Sequence, residues 1–140
     1  MARPQKSRTI DTPPQMRGFK PYGISCNKPG TIKMSFEEYE CIKLVGYEKL
    51  SQEQAAERMN ISRPTLTRIY NKAINTIAAG FIEGKTIEIN GGNYQFEKEW
   101  YRCRKCYKLI EGIENHIKCK GCLLYSKNEL INLSQSGTNK

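Results

Sequence analysis

The stretch that most constrains this chain runs from Ser51 to Ile77. Ser51-Gln52-Glu53-Gln54 has the form of a capping box: a serine hydroxyl accepts from the backbone three residues on, and the Gln54 side chain bonds back. Ala55, Ala56 and Met59 follow, spaced to share one face of a helix. Ser62, with Pro64 in the first turn, opens a further helix, because the N–H that proline lacks has no partner there anyway. Leu66, Ile69, Ala73 and Ile77 mark its buried face. Between the two, Asn60 tolerates the left-handed backbone that a tight turn requires. Small Ala55 and Ala56 let two helices cross closely, and Met59 and Ile61 anchor both sides of the turn. The pattern predicts a helix-turn-helix over Gln52 to Asn71.

The flanking sequence extends this reading. Ser35-Phe36-Glu37-Glu38 is a second capping box, followed by apolar Phe36, Tyr39, Ile42 and Val45. Gly46 is read as the end of that helix and Gly84 as the C′ residue after the last one, while Gly80 weakens the final turns. Helices are therefore expected at about 36–46, 52–59 and 63–83, within a domain of residues 31–85. Thr86–Ile89 and Tyr94–Phe96 alternate around Asn-Gly-Gly-Asn, which predicts a β-hairpin over 86–97. Residues 1–30 are rich in Pro, Gly, Lys and Arg and are expected to be a basic flexible arm, with Phe19, Tyr22 and Ile24 pinning its later part. Residues 127–140 read as a polar tail. The expected fold class is mainly α: a helix-turn-helix domain, then a β-hairpin, then a small four-cysteine zinc-binding module over 100–126.

Charge narrows the partner. The formal net charge is +9. Residues 1–34 hold seven Lys/Arg against one acid, and residues 101–140 hold eight against three. Residues 35–100 are near neutral, with eight against ten. Basic ends suit a polyanion, above all nucleic acid, although a basic solubilising surface has the same signature. No apolar run is long enough to span a bilayer, and the N-terminus lacks the apolar segment of a signal peptide. The expectation is a cytoplasmic protein without a membrane partner.

Six cysteines are present, four of them as two Cys-x-x-Cys pairs: Cys103 with Cys106, and Cys119 with Cys122. In a reducing compartment such pairs favour metal over disulfides. Twelve intervening residues allow the second pair to return to the first and complete a tetrahedral thiolate shell, which suits Zn²⁺. Iron is compatible with the same shell. No glycine follows the second cysteine of either pair, since Tyr107 and Leu123 stand there, which leaves the turn geometry open. His116 in the spacer is an alternative ligand or a surface histidine.

If Leu66, Ile69, Ala73 and Ile77 are buried, the 100° step per residue turns the opposite side of the helix to solvent. Pro64, Thr67, Arg68, Asn71 and Asn75 lie on or near that side, and Pro64 is counted among the expected DNA contacts. Arginine bonds guanine O6 and N7 in a bidentate way, and asparagine does the same for adenine N6 and N7. Arg63, Thr67, Arg68 and Asn71 are thus candidate base readers, and Ser62 and Lys72 candidate phosphate contacts. Arg3, Lys6 and Arg8 could supplement them in a minor groove or act as non-specific charge. The segment Leu50 to Leu66 resembles the region 4 helix-turn-helix of bacterial sigma factors. Residues 1–96 resemble more closely an uncharacterised family of small prokaryotic proteins. The resemblance is carried by Arg3-Pro4-Gln5-Lys6, Glu38-Tyr39-Glu40 and Gly91-Gly92-Asn93-Tyr94. It implies binding to double-stranded DNA and transcriptional regulation, with no defined target; the four-cysteine segment lies beyond it.

Two other readings stay open at this point. The cysteine site could be a redox or metal sensor that switches DNA affinity. The acidic helices, with six Glu against three basic residues over 35–61, could serve a protein-interaction adaptor, docking on a partner such as RNA polymerase. A homodimer is a further partner to consider, although no heptad seam is visible. An enzyme is not expected: there is no Gly-rich phosphate loop, no Gly-x-Ser-x-Gly, no His-Glu-x-x-His, and only one histidine.

Overall fold

The computed structural model describes residues 8–25, 28–96, 98–103, 108–112 and 130–133. Its helices begin where serine caps stand. Ser35 accepts from Glu38 N–H and starts α1, Phe36–Cys41. Ser51 and Gln54 bond reciprocally and start α2, Gln52–Arg58. Ser62 accepts from Thr65 N–H and starts α3, the 21-residue helix Arg63–Glu83. Each cap satisfies a backbone donor that the first turn leaves unpaired. Gly84 closes α3 in the left-handed conformation, at φ 67°.

After Cys41 the first helix does not stop at Gly46. It widens into a π-helical stretch, Ile42–Tyr47, and Glu48 N–H bonds the Lys43 carbonyl at 2.8 Å. The reversal falls at Lys49, whose φ is +61°. Within this stretch Leu44 is buried.

The expectation of a mainly α fold is corrected. Among the described residues three α-helices are accompanied by eight strands in three sheets. β1 (Arg8–Ile10) pairs in parallel with β5 (Tyr94–Phe96). β4 (Thr86–Ile89) lies between β2 (Gly18–Phe19), antiparallel to it, and β3 (Thr31–Met34), parallel to it. The last sheet has β6 (Trp100–Cys103) between β7 (Leu109–Glu111) and β8 (Leu130–Asn132), both antiparallel. Three of these strands come from the stretch expected to be an arm or its edge.

The expected hairpin is absent for a local reason. β4 and β5 do not pair with each other. Their linker bonds α1 instead: Gly91 carbonyl accepts from Phe36 N–H at 3.0 Å, and Asn93 N–H donates to Glu37 Oε1 at 3.1 Å. Gly92, at φ +106°, packs so closely that a Cβ there would lie 2.9 Å from Ser35 Cβ. The glycines thus serve the capped end of α1, and the two strands diverge to different sheets.

Two apolar clusters follow. Cys41, Leu44, Ala55, Ala56, Met59, Leu66 and Ile69 join the three helices. Ile10, Met34, Phe36, Ile89 and Tyr94 join α1 to the sheets, and Phe36, Tyr94 and Phe96 stack with centroids 4.7 to 6.3 Å apart. Gly80 lets β4 reach α3, because a Cβ there would lie 2.6 Å from Ile87 Cγ1. The last sheet is tied on by Arg102, which donates to the Pro14 carbonyl, and by Tyr94, whose hydroxyl donates to the Leu133 carbonyl at 2.8 Å.

Candidate nucleic-acid interface

The α2–α3 pair is set by small and apolar residues. Ala55 and Ala56 are buried where the helices meet, with Met59 and Leu66 fully buried beside them. Asn60 sits in the connecting turn at φ +57°, the left-handed region its short amide tolerates. β1 braces this turn, because Thr9 N–H donates to the Met59 carbonyl at 3.0 Å. The N-terminus of α3 is therefore held from both sides.

Burial of Leu66, Ile69 and Ala73 turns the other side of α3 outward. Arg63, Pro64, Thr67, Arg68, Asn71 and Lys72 line one open depression of about 640 Å³, together with Asn75. All but half-buried Thr67 are exposed. Ser62 falls in an adjoining depression of about 440 Å³ with Arg8, Asn60 and Thr65.

These side chains are not equally available. Arg63 Nη1 lies 3.4 Å from Glu53 Oε1, a solvent-exposed pair that contributes little to stability. Lys72 Nζ lies 3.7 Å from the buried Glu38 carboxylate. Thr67 donates its hydroxyl to Gln52 Oε1, which fixes its rotamer and ties α2 to the middle of the face. Among the described residues, neither Arg68 nor Asn71 is engaged in an ion pair or side-chain hydrogen bond. Gln52 as an orienting residue was not visible from the sequence, where it reads only as the first residue after a cap.

Arg8 is not part of a loose arm. It sits in β1 with its Nε 3.1 Å from Glu37 Oε2. Arg3 and Lys6 lie outside the described residues. The acidic residues of α1 are also largely spent inside. Glu37 holds Arg8 and Asn93, and Glu38 faces Lys72. Glu40 is 1 % exposed, accepts Asp11 N–H at 3.1 Å and lies 2.9 Å from Lys43 Nζ. Burial pushes the Glu40 carboxyl above its ordinary value, against the opposing pull of Lys43.

Of the four cysteines read as metal ligands, Cys103 is buried at the end of β6, with its N–H bonded to the Lys108 carbonyl at 3.1 Å. Cys106, Cys119, Cys122 and His116 lie outside the described residues. Among the described residues no group of three His, Cys, Asp or Glu is placed to hold a metal ion. The segment from Trp100 is thus described as a three-stranded sheet, not as the self-contained zinc module expected. Cys41 is fully buried, 3.7 Å from Met59 Sδ, and its thiol is pushed up to about 12, first by burial and then by Glu37. Arg102 is held below its ordinary value by burial and by Arg17. No helix among the described residues is long and apolar enough to cross a membrane.

Three capped helices braced by mixed sheets, with a solvent-facing strip of arginine, amide and hydroxyl groups on the longest helix, define the class. The chain belongs to the family described as "Protein of unknown function DUF134", which it matches over residues 1–97. Among its relatives is a "UPF0251 protein" of Halothermothrix orenii, 41% identical over 111 residues, or 79% of this chain and 82% of the relative. A "UPF0251 protein" of Desulforudis audaxviator is 34% identical over 146 residues, covering 100% of this chain and 95% of its own length. That likeness takes in the four-cysteine segment. One from Clostridium tetani is 38% identical over 79% of this chain and 76% of the relative. No solved structure matches.

Proposed function

We propose that this protein binds double-stranded DNA sequence-specifically and regulates transcription in the cytoplasm, with α2 and α3 acting as a helix-turn-helix. The single observation that carries the reading is the shared depression on α3. Six of the residues expected to touch DNA line it, on the first three turns of a helix. In this motif the N-terminal turns of the second helix enter the major groove. Arg68 carries the paired donors that guanine O6 and N7 accept, and the Asn71 amide carries the donor and the acceptor that match adenine N7 and N6. Thr67, held by Gln52, offers a methyl to a thymine or a small contact to a base edge. Ser62 and Lys72 are suited to flanking phosphates. Arg8 lines the depression beside Ser62, at the N-terminus of α3. That position suits an arm reaching an adjacent groove.

This role calls for no catalytic group, and none is proposed. The adaptor reading draws less support, because Glu37, Glu38 and Glu40 face Arg8, Lys72 and Lys43 and leave α1 without an open acidic face. We also propose that Cys103, Cys106, Cys119 and Cys122 bind one Zn²⁺. The paired Cys-x-x-Cys spacings support this, and Cys103 is buried at the end of β6 with its N–H bonded to the Lys108 carbonyl. Metal analysis of the purified chain should give one zinc per chain; a metal-free, fully folded protein contradicts it.

The DNA proposal is tested by mobility shift with genomic fragments over a salt series. A few fragments should be retained at salt concentrations that release the rest, with a slope set by the number of phosphate contacts. Equal retention of all fragments at every salt concentration contradicts it.

A further inference from the structure

We infer that the C-terminal half of α3 is a dimer interface, and that its occupant is a second copy of this chain. Arg63 to Asn75 give α3 a polar outer side, but beyond it that side turns apolar. Phe81 and Ile82 are 82% and 78% exposed, and Ile74 is 42% exposed. Ile74, Ala78 and Phe81 recur at four- and three-residue steps, so they stack along one stripe of the helix. Beside the stripe, Phe19 and Tyr22 are 62% and 96% exposed. Together with Phe81 and Ile24 they border a groove of about 590 Å³. Single exposed apolar residues are ordinary; a contiguous aromatic and aliphatic patch marks an interaction site.

Two quantities favour a second copy over another occupant. The first is area. Aromatic side chains bury 150–250 Å² each, so Phe19, Tyr22 and Phe81 offer about 480 Å² at their observed exposures. Ile24, Ile74 and Ile82, themselves 39%, 42% and 78% exposed, add aliphatic surface to that. A specific interface of standard size needs about 800 Å² from each partner. The patch also supplies both a projecting ridge and an adjoining groove on one chain, which is what a two-fold, self-complementary contact requires.

The second quantity is distance, and here the inference rests on the DNA-binding reading above. Arg68 and Phe81 are 13 residues apart on one continuous helix, hence about 20 Å. Two copies meeting at Phe81 place their recognition turns about 40 Å apart if the helices are collinear, and closer when they incline. Helix-turn-helix dimers need 34–36 Å between half-sites. The length of α3 beyond the recognition turns therefore matches what a dimer on consecutive major grooves requires.

Sedimentation equilibrium of the full chain, without DNA, tests the interface independently of the DNA reading. The wild type should have twice the chain mass at micromolar concentration. Phe81→Glu/Ile82→Glu should sediment as a monomer, with the dimer dissociation constant raised at least a hundredfold and the helical circular dichroism unchanged. Tyr47→Glu, equally exposed but outside the patch, should leave the dimer intact. A wild-type monomer at 100 µM overturns the inference, whether the patch is covered by this chain's own residues or by another protein. So does a dimer that survives the double substitution. Should the dimer form without any DNA binding, the functional reading fails and the interface stands. Should the wild type bind DNA yet sediment as a monomer, the interface fails and the functional reading stands.

Discussion

Arg8 Nε sits 3.1 Å from Glu37 Oε2, and the other oxygen of that carboxylate accepts Asn93 N–H at 3.1 Å. One side chain of α1 therefore fastens β1 and the loop before β5, the two segments that form the parallel pair. Both members of the ion pair are largely shielded, at 12% and 14% exposure. Removing one leaves the other charge shielded and unmatched, which costs about 1–3 kcal/mol. Arg8→Ala should lower unfolding free energy by that amount in denaturant titrations. Glu37→Ala in the same background should cost less than it does alone, because the ion pair is already lost and only the Asn93 N–H then loses its acceptor. Independent, additive losses would show that the contact does not couple the two segments.

Gly80 marks where α3 and β4 touch. A Cβ at that position would lie 2.6 Å from Ile87 Cγ1 and 2.7 Å from its Cδ1. Overpacking of this kind costs about 1–3 kcal/mol. Gly80→Val should therefore destabilise, although valine has the better helix propensity. Ile87→Val, which removes the Cδ1, should restore part of the loss when combined with it. A stabilised Gly80→Val protein would contradict the close approach.

Glu40 predicts a pH dependence. Burial raises its carboxyl above the ordinary value of 4.5, so the folded chain holds that proton more tightly than the unfolded chain does. Its contribution is fully present below the unfolded value and is lost as pH rises through the raised folded value. Glu40→Gln cannot ionise. The stability of wild type relative to Glu40→Gln should fall across the window beginning at about 4.5 and then level off. A difference that is flat with pH, or one that rises, would show that Lys43 and Asp11 N–H outweigh burial.

Cys41 should be chemically silent. Its thiol is fully buried and pushed up to about 12, and only the thiolate is an effective nucleophile. Iodoacetamide at pH 8 should leave Cys41 unmodified in the native protein and modify it in denaturant, as read by peptide mass mapping. Rapid native labelling would contradict its place between α1 and Met59.

The helix starts were legible because capping is local: Ser35, Ser51 and Ser62 each need only a backbone donor three residues ahead. The left-handed Asn60 and Gly84 were legible for the same reason. The sheets were not. β1, β2 and β3 are short, and they find β5 and β4 across more than 50 residues, so no periodicity within the strand reveals its partner. Asn-Gly-Gly-Asn misled because its glycines resemble a hairpin turn, whereas here Gly92 clears space against Ser35 and Gly91 offers its carbonyl to Phe36 N–H. At the site, the solvent side of α3 followed from Leu66, Ile69 and Ala73, since those three fix the helix rotation. The Gln52 bond to Thr67 and the Glu37 bond to Arg8 depend on how elements pack, and neither has a local signature.

The central claim is that Arg68 and Asn71, outward on α3, read base edges. Selection of bound sequences from a random double-stranded pool, run in parallel with wild type, Arg68→Ala and Asn71→Ala, tests it most directly. The wild type should enrich one motif. Each substitution should weaken binding to it by about 1–3 kcal/mol, roughly fivefold to 150-fold, and relax preference at its own base position. No enriched motif with wild type, or a motif unchanged in strength and letters by both substitutions, would contradict the account.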